Sequence, residues 1–327
     1  MRVCVAVLCA TLLLLWTCVP FSEAARLPYS KDDAWYYHYL YHASYCDVRR
    51  LRTWTCGPPC THIPTLQPVE ILEHGLAGTA GVVGIDHAHE RIVTVFRGTE
   101  NPQNLLADLS GLQIDYSWTS SCGRWCKVHA GFQASYLSLR DVTRSTVLRL
   151  AGEYPTYQVV FTGHSLGGAM AVLAAADVQE RLNALDNASL VKPVSLYTFG
   201  APRVGNAAFA TWVDGMLANS AFFRITHARD PVVRVPAPAW GYAHTTSEVF
   251  YRTRDNRSVV LCNDSPGRED PQCSLSMLSV QMTDHLYYMG ETFRCEDGGS
   301  AGNTAALPAA PLLCILLAVA GLVYALG

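Results

Sequence analysis

The stretch that decides the fold is YQVVFTGHSLGGAMAVLAAADV, residues 157–178. Its apolar, β-branched start, residues 157–161, predicts a buried strand, and the alanine-rich part from Leu166 to about Leu185 predicts a helix. Ser165 therefore lies at a strand-to-helix turn, between two glycines in a G-x-S-x-G pattern. Small residues on both sides let the chain turn tightly and expose the hydroxyl above the sheet. An ordinary glycine turn is the alternative, but strand, spacing and helix together favour a presented nucleophile.

The two ends of the chain have the composition of processing signals. Residues 1–24 contain Arg2, an apolar run and small residues at a plausible cleavage site, which predicts a secretory signal peptide. The tail, residues 300–327, is uncharged, begins among the small residues of GGSAGN and ends in an apolar run. This layout predicts a glycolipid-anchor signal with attachment at Ser300 or a neighbour, and a single retained membrane helix is the alternative.

The chain between these ends, residues 25–299, predicts one large domain, because its composition shows no linker and no repeat. The formal net charge is −3 and the basic residues are scattered, which argues against a nucleic-acid partner. A neutral or apolar partner fits this balance better. No cofactor is expected.

Eight cysteines remain after removal of both ends, and a chain routed to an oxidising compartment is expected to pair them. They are Cys46, Cys56, Cys60, Cys122, Cys126, Cys262, Cys273 and Cys295. Eight cysteines allow 105 pairings, so spacing only nominates the short loops CGPPC, CGRWC and CNDSPGREDPQC. Neither C-x₃-C pair has a histidine or a second pair at zinc-finger spacing, so no metal site is expected. The sequons at Asn187, Asn256 and Asn263 predict a glycosylated exterior.

The rest of the chain alternates predicted strands and helices. SKDDAWYYHYLYHASYC predicts a first helix capped by Ser30, and AGVVGIDHAHERIVTVFRGTE predicts a hairpin. Helices are expected near residues 131–153 and 206–217, strands at PVSLYTFG and AFFRITHA, and a late antiparallel hairpin in SEVFYRTRDNRSVVLC. This order predicts an α/β domain with a mostly parallel central sheet flanked by helices.

Hydrolases with such a sheet place their catalytic groups in the order serine, acid, histidine. After Ser165, Asp230 is the acid that directly follows a predicted strand, although a surface turn would also explain an aspartate there. Two histidines follow, His244 and His285, and we favour His285 as the base because nearby tyrosines could enclose its ring. His164 is next to the nucleophile but should point away from it.

Acyl transfer also needs hydrogen-bond donors for the oxyanion. The backbone N–H of Leu166, directly after the nucleophile, is the first candidate. The second is Thr99, which follows a glycine at the end of an earlier strand and can offer its N–H and its hydroxyl.

Six motifs in this order resemble those of the fungal-type, class 3 lipase family of α/β-hydrolases: FRGTE, VHAGFQASY, GHSLGG, YTFGAPRVGN, THARDPVVRVP and DHLYYMG. The resemblance implies a triad of Ser165, Asp230 and His285, with Thr99 and Leu166 as oxyanion donors. It also implies disulfides Cys46–Cys295, Cys56–Cys60 and Cys262–Cys273. Cys122 and Cys126 are then left as a pair that the usual family pattern lacks.

The resemblance further implies a short lid after the oxyanion motif, in ENPQNLLADL. Asn101 could cap this helix, and Leu105, Leu106 and Leu109 would form a small apolar face. An ordinary amphipathic surface helix is the alternative. Because the face is small and lacks a tryptophan, we do not expect strong interfacial activation.

These features together predict a secreted serine lipase, held at the cell surface, that hydrolyses acylglycerol esters at a lipid–water interface. Its expected partners are the lipid ester and a membrane, contacted through the substrate surface and the anchor. The alternatives are a phospholipase A1, an esterase for soluble esters, or a non-catalytic surface protein that binds lipid.

Overall fold

The structure is a computed structural model that describes residues 27–99, 111–116, 118–119, 121–184, 193–254, 258–292 and 295. Several predicted features lie outside these residues: the signal peptide at 1–24, the tail with Ser300, the sequons at Asn187 and Asn256, and the lid residues Asn101, Leu105, Leu106 and Leu109. Asn263 is described, and its side chain is exposed, as a glycosylation site requires.

The described strands follow one another in short segments between longer helices. They are β1 (Leu66–His74), β2 (Thr79–Asp86), β3 (Arg91–Phe96), β4 (Gln113–Asp115), β5 (Lys127–His129), β6 (Gln158–His164), β7 (Ser195–Phe199), β8 (Gly205–Asn206), β9 (Phe222–His227), β10 (Tyr242–Ala243), β11 (Glu248–Tyr251), β12 (Val259–Leu261), β13 (Tyr287–Tyr288) and β14 (Glu291–Thr292). The described helices are α1 (Lys31–Ser44), α2 (Val48–Thr53), α3 (Pro58–His62), α4 (Ala130–Glu153), α5 (Leu166–Asn183), α6 (Ala207–Met216) and α7 (Met282–His285).

Eight of these strands form the central sheet, in the order β1-β2-β3-β6-β7-β9-β11-β12. The pairs from β3 to β11 are parallel, while β1, β2 and β12 are antiparallel to their neighbours. The mostly parallel sheet predicted from the sequence is therefore confirmed. A smaller antiparallel sheet, β10-β8-β5-β4, lies beside it, and β13 pairs with β14.

Alternation along the strands divides the core between the two faces of the sheet. Val159 and Phe161 of β6 pack with the helices α4, α5 and α6, whereas Val160 points to the opposite face and packs with α1. Both faces of the parallel strands are covered, which explains why these strands are apolar almost throughout. The carboxyl ends of β6, β7 and β9 consequently meet at one edge, where the loops that follow them come together.

Helix α1 begins where the sequence predicts, because the Ser30 hydroxyl accepts a hydrogen bond from the Asp33 N–H at 3.1 Å. The described part of the chain contains no helix that is both long and apolar enough to cross a membrane.

Strand β1 was not predicted. Its segment LQPVEILEH contains Pro68 and three charged or imidazole side chains, which argue against a strand. The strand lies at the edge of the sheet, where a proline is tolerated, and its register shifts between Pro68 and Glu70.

The late hairpin is present, but its first strand β11 pairs in parallel with β9, so the hairpin extends the parallel region before β12 reverses.

Four disulfides are present among the described residues. They join Cys46 to Cys295, Cys56 to Cys60, Cys122 to Cys126, and Cys262 to Cys273. These are the pairs that the family resemblance implies, together with the additional Cys122–Cys126 pair.

Candidate active site

Ser165 occupies a strained turn between β6 and α5. Its backbone has φ 59° and ψ −128°, a combination that side chains other than glycine rarely adopt, and its N–H donates to the Phe199 carbonyl at 2.9 Å. The turn also requires its two glycines. A Cβ at Gly163 would lie 2.4 Å from the Gly167 carbonyl, and a Cβ at Gly167 would lie 2.1 Å from the Phe96 carbonyl oxygen. The G-x-S-x-G pattern is therefore explained by contact between β6, β3 and α5.

Asp230 follows β9, and His285 is the last residue of α7; the fold brings their side chains together. His285 Nδ1 lies 2.8 Å from Asp230 Oδ2, and the Tyr288 hydroxyl donates to the same oxygen at 2.6 Å. The Val232 N–H donates to Asp230 Oδ1 at 2.7 Å. Asp230 is fully buried, and these donors replace the water that a buried carboxylate loses. Because the carboxylate accepts, the neutral tautomer that this contact favours has its proton on Nδ1 and its lone pair on Nε2.

The Ser165 hydroxyl and His285 Nε2 share one property: both are buried and neither has a hydrogen-bond partner among the described residues. The rings of His164 and His285 are 4.4 Å apart, so His285 lies beside the turn that carries Ser165. A hydroxyl without an acceptor and an imidazole nitrogen without a donor are thus both buried in the same part of the molecule. Such pairs often tighten only when substrate binds.

The side chain of His164 contacts Tyr45 and the backbone of His285. Its Nε2 lies 2.8 Å from the His285 carbonyl, and its Nδ1 lies 3.0 Å from the Tyr45 hydroxyl. A carbonyl only accepts, so Nε2 carries the proton and Nδ1 accepts from Tyr45. Burial, together with the neighbouring His285, lowers the pKa of His164 well below its usual value. The ring is therefore neutral, and it fixes the backbone of His285, a role that sequence reasoning missed.

The two predicted oxyanion donors, Leu166 and Thr99, belong to segments that run next to Ser165. Leu166 is the first residue of α5, so its N–H is one of those that a helix leaves unsatisfied. The chain after β3 passes close by, because a Cβ at Gly98 would lie 2.6 Å from the His164 carbonyl and 3.1 Å from Ser165 Cβ. Thr99 is the next residue and is partly exposed.

His244, the alternative to His285 as the base, contacts the backbone of the loop that follows Asp230. Its Nε2 donates to the Val233 carbonyl at 2.7 Å, and burial lowers its pKa well below the usual value. It is therefore a neutral ring that supports the loop after Asp230. Of the histidines in the predicted hairpin, His87 contacts the Tyr157 hydroxyl at 3.0 Å and His89 contacts Asp86 at 2.9 Å.

Arg203 is a second supporting residue that the sequence analysis did not single out. The side chain is fully buried, and its guanidinium binds both oxygens of Glu269 at 2.7 Å. The same group donates to the Arg234 carbonyl and, at 3.0 Å, to the Pro236 carbonyl. Arg203 thus fastens the loop that follows Asp230. Arg203 belongs to the motif YTFGAPRVGN, but the motif by itself does not indicate which residues Arg203 contacts.

A hydroxyl, an imidazole and an orienting carboxylate in this arrangement can perform acyl transfer.

Known lipases are similar to this chain in sequence and in structure. The sequence model of the family described as lipase (class 3) matches residues 93–240. The lipase of Rhizomucor miehei is 34% identical over 261 residues, which cover 79% of this chain and 68% of that lipase.

The chain belongs to the class 3 lipase family.

One further relative and one solved structure agree with this assignment. The secreted mono- and diacylglycerol lipase A of Penicillium cyclopium is 31% identical over 189 residues, 58% of this chain and 57% of that lipase. A triacylglycerol lipase whose catalytic centre is described as a serine protease triad has a TM-score of 0.71 at 32% identity and covers 80% of this chain and 95% of its own. The resemblance drawn from the six motifs is confirmed, as is the α/β-hydrolase fold.

Proposed function

We propose that this member of the class 3 lipase family is a serine lipase that hydrolyses carboxylic esters of acylglycerols. The observation that carries the proposal is the 2.8 Å contact between His285 Nδ1 and Asp230 Oδ2, which leaves His285 Nε2 directed into a buried site beside Ser165.

In the proposed mechanism, His285 Nε2 takes the proton from the Ser165 hydroxyl as the serine oxygen attacks the ester carbonyl. Asp230 holds the imidazole in the correct tautomer and stabilises its charged form, and Tyr288 in turn holds the carboxylate. The oxyanion accepts hydrogen bonds from the Leu166 N–H and from Thr99. Each such donor typically lowers the barrier by about 3 kcal/mol.

Collapse of the tetrahedral intermediate breaks the ester bond. His285 passes its proton to the leaving alkoxide, and the acyl group stays on Ser165. Water then attacks this acyl-enzyme while His285 accepts its proton; as the bond between the acyl group and Ser165 breaks, His285 passes that proton to the serine oxygen and the fatty acid leaves. No cofactor enters either half of the reaction.

The substrate class rests on the relatives. The Penicillium protein is described as acting on mono- and diacylglycerols, and a structural neighbour is described as a triacylglycerol lipase. The site itself is buried at Ser165 and His285, so an ester has to enter a water-excluded space. We propose that residues 100–109, with the apolar Leu105 and Leu106, form the lid that meets the lipid surface.

The triad is tested by Ser165→Ala in the secreted protein. We expect kcat/KM for a soluble ester, p-nitrophenyl butyrate, to fall by about 10⁴-fold or more, because removal of a nucleophile leaves only binding and the oxyanion donors. The unfolding temperature should change little, because only one buried oxygen is removed. Activity near that of the wild type in a folded variant would reject Ser165 as the nucleophile.

The substrate class is tested with triolein emulsions, monoolein micelles, phosphatidylcholine vesicles and dissolved p-nitrophenyl butyrate. We expect the acylglycerols to be turned over fastest. Leu105→Ser combined with Leu106→Ser should reduce turnover of the emulsion more than that of the soluble ester. Dominant release of fatty acid from phosphatidylcholine would instead identify a phospholipase, and turnover of the soluble ester alone would identify an esterase.

We place the enzyme outside the cell, attached by a glycolipid at Ser300 or a neighbour. The predicted signal peptide, the disulfides and the secreted Penicillium relative support the extracellular location, and the uncharged tail supports the anchor. Treatment of intact cells with phosphatidylinositol-specific phospholipase C should release esterase activity into the medium. Activity that stays on the cells, in protein that still contains Tyr324, would contradict the anchor.

A further inference from the structure

We propose that His38, His42 and Glu291 form a binding site for one transition-metal cation of the Zn²⁺ type. The site is separate from the triad and does not depend on the proposed lipase activity. It differs from the sequence expectation of no metal site, which rested on the spacing of the cysteines.

The three side chains converge from distant parts of the sequence. His38 and His42 are four residues apart on α1 and therefore face the same side of the helix, with ring centroids 4.0 Å apart. Glu291 comes from β14, and its Oε2 lies 3.7 Å from His38 Nε2. One ligand atom from each residue lies within 4.8 Å of the other two.

These separations suit a shared cation better than direct contacts. At 3.7 Å, His38 Nε2 and Glu291 Oε2 are too far apart for a hydrogen bond. Ligand atoms around tetrahedral Zn²⁺ are separated by about 3.4 Å, given metal–ligand bonds of about 2.0–2.1 Å. A small rotation of Glu291, whose side chain is 43% exposed, would shorten its distance to His38 Nε2 to that spacing.

His38 supplies the independent evidence for a ligand. Its side chain is fully buried, and both ring nitrogens lack a hydrogen-bond partner among the described residues. Buried polar atoms are rarely left in this state, so such a group calls for an unseen partner.

The surroundings have the features of a metal site. The Tyr39 hydroxyl donates to Glu291 Oε1 at 3.3 Å, and the Tyr41 hydroxyl lies 3.1 Å from His42 Nε2, so the carboxylate and one ring are oriented by outer contacts. A cavity of about 330 Å³, lined in part by His42, His62 and Glu291, opens beside the cluster. It offers an entry path and room for a water as the fourth ligand.

The other cluster of ligand-type side chains among the described residues, Glu248 with Cys262 and Cys273, is not available, because its cysteines form a disulfide. Two imidazoles and one carboxylate suit zinc, whereas Mg²⁺ and Ca²⁺ prefer oxygen ligands. A bound cation would fasten β14 to α1, next to the Cys46–Cys295 disulfide, and so secure the segment that follows His285.

The site is tested by calorimetric titration of ZnCl₂ into the full secreted protein after chelator treatment. We expect one equivalent to bind and the unfolding temperature to rise with Zn²⁺. His38→Gln and Glu291→Gln should each weaken binding by more than about tenfold, since loss of a ligand exceeds the effect of losing an outer contact. The control is His74→Gln, which removes an exposed histidine and should bind as the wild type does.

Two results would overturn the site. One is stoichiometric Zn²⁺ binding that survives in both variants, and the other is a wild type that binds no Zn²⁺ or binds Ca²⁺ equally well. If His38→Gln fails to fold, Glu291→Gln decides the matter, because Glu291 is partly exposed. Hydrolysis of p-nitrophenyl butyrate serves only to show that the variants are folded, so failure of the metal site is distinguishable from failure of the lipase assignment.

Discussion

His129 accepts backbone hydrogen bonds at the start of α4, and its burial there governs its titration. Its Nδ1 accepts from the N–H groups of Gly131 and Phe132, at 3.1 and 3.3 Å, which requires a neutral ring with the proton on Nε2. Burial lowers its pKa from 6.5 to about 4. The unfolded chain therefore binds a proton between pH 6.5 and 4 while the folded chain does not, so stability is lost as the pH falls through this range.

His129 alone should reduce the free energy of unfolding by about 3 kcal/mol between pH 7 and pH 4, from about 1.4 kcal/mol per pKa unit. His129→Asn keeps a side-chain acceptor at the start of the helix but does not titrate. We expect urea unfolding of this variant to show an acid-induced loss smaller by about that amount. The exposed His74→Gln serves as the control, and an unchanged loss in His129→Asn would refute the explanation.

At the scale of elements, the contact between the β6–α5 turn and β3 leaves no space for a side chain. A Cβ at Gly167 would lie 2.1 Å from the Phe96 carbonyl oxygen, which is backbone and cannot rotate away. Strand and helix are therefore packed as closely as two backbones allow, and this close packing sets the position of Ser165. By contrast, a Cβ at Gly152, in the last turn of α4, would meet no atom within 4 Å.

These two glycines make a matched pair of tests. We expect Gly167→Ala to lower the free energy of unfolding by about 3 kcal/mol and to reduce activity, because β3 and α5 must move apart. Gly152→Ala should raise the free energy of unfolding by about 0.5 kcal/mol, since alanine is the better helix former. Chemical unfolding of both variants measures the difference, and equal stabilities would mean that the turn is not closely packed.

At the scale of the whole molecule, the Cys46–Cys295 disulfide joins the end of α1 to the segment after β14. It spans 249 residues of sequence, whereas the Cys56–Cys60 disulfide spans four. A crosslink restricts the unfolded chain more strongly when it closes a longer loop. The long disulfide therefore connects the first and last described parts of the domain and should dominate the crosslinking contribution to stability.

Replacing each pair with serine tests this difference. Loop-closure entropy gives a loss of about 5 kcal/mol for Cys46→Ser with Cys295→Ser, and about 2 kcal/mol for Cys56→Ser with Cys60→Ser. Urea unfolding under non-reducing conditions is the measurement. A larger loss of stability for the short pair would show that these disulfides do not act mainly by restricting the unfolded chain.

Local features of the sequence were enough for the strand-to-helix turn at Ser165 and for the elements on either side of it. The cap at Ser30, the apolar strand before Ser165 and the alanine-rich helix after it depend on neighbouring residues, so their pattern could be read directly. Strand β1 could not be found in this way. Its proline and charged residues are compatible with a strand only because β1 lies at an edge, and the position in the sheet is a tertiary property.

Tertiary structure decided which distant side chains meet. His244 and His285 both follow Asp230, and their local sequences do not separate a supporting ring from a candidate base; the return of α7 to the loop after β9 does. Their local sequences also do not predict that His38 and Glu291 meet. His38 Nε2 and Glu291 Oε2 lie 3.7 Å apart, although most of the domain separates the two residues along the chain. Sequence patterns record what each residue needs locally, whereas a site made of loops and strand ends depends on how the whole sheet brings those segments to one place.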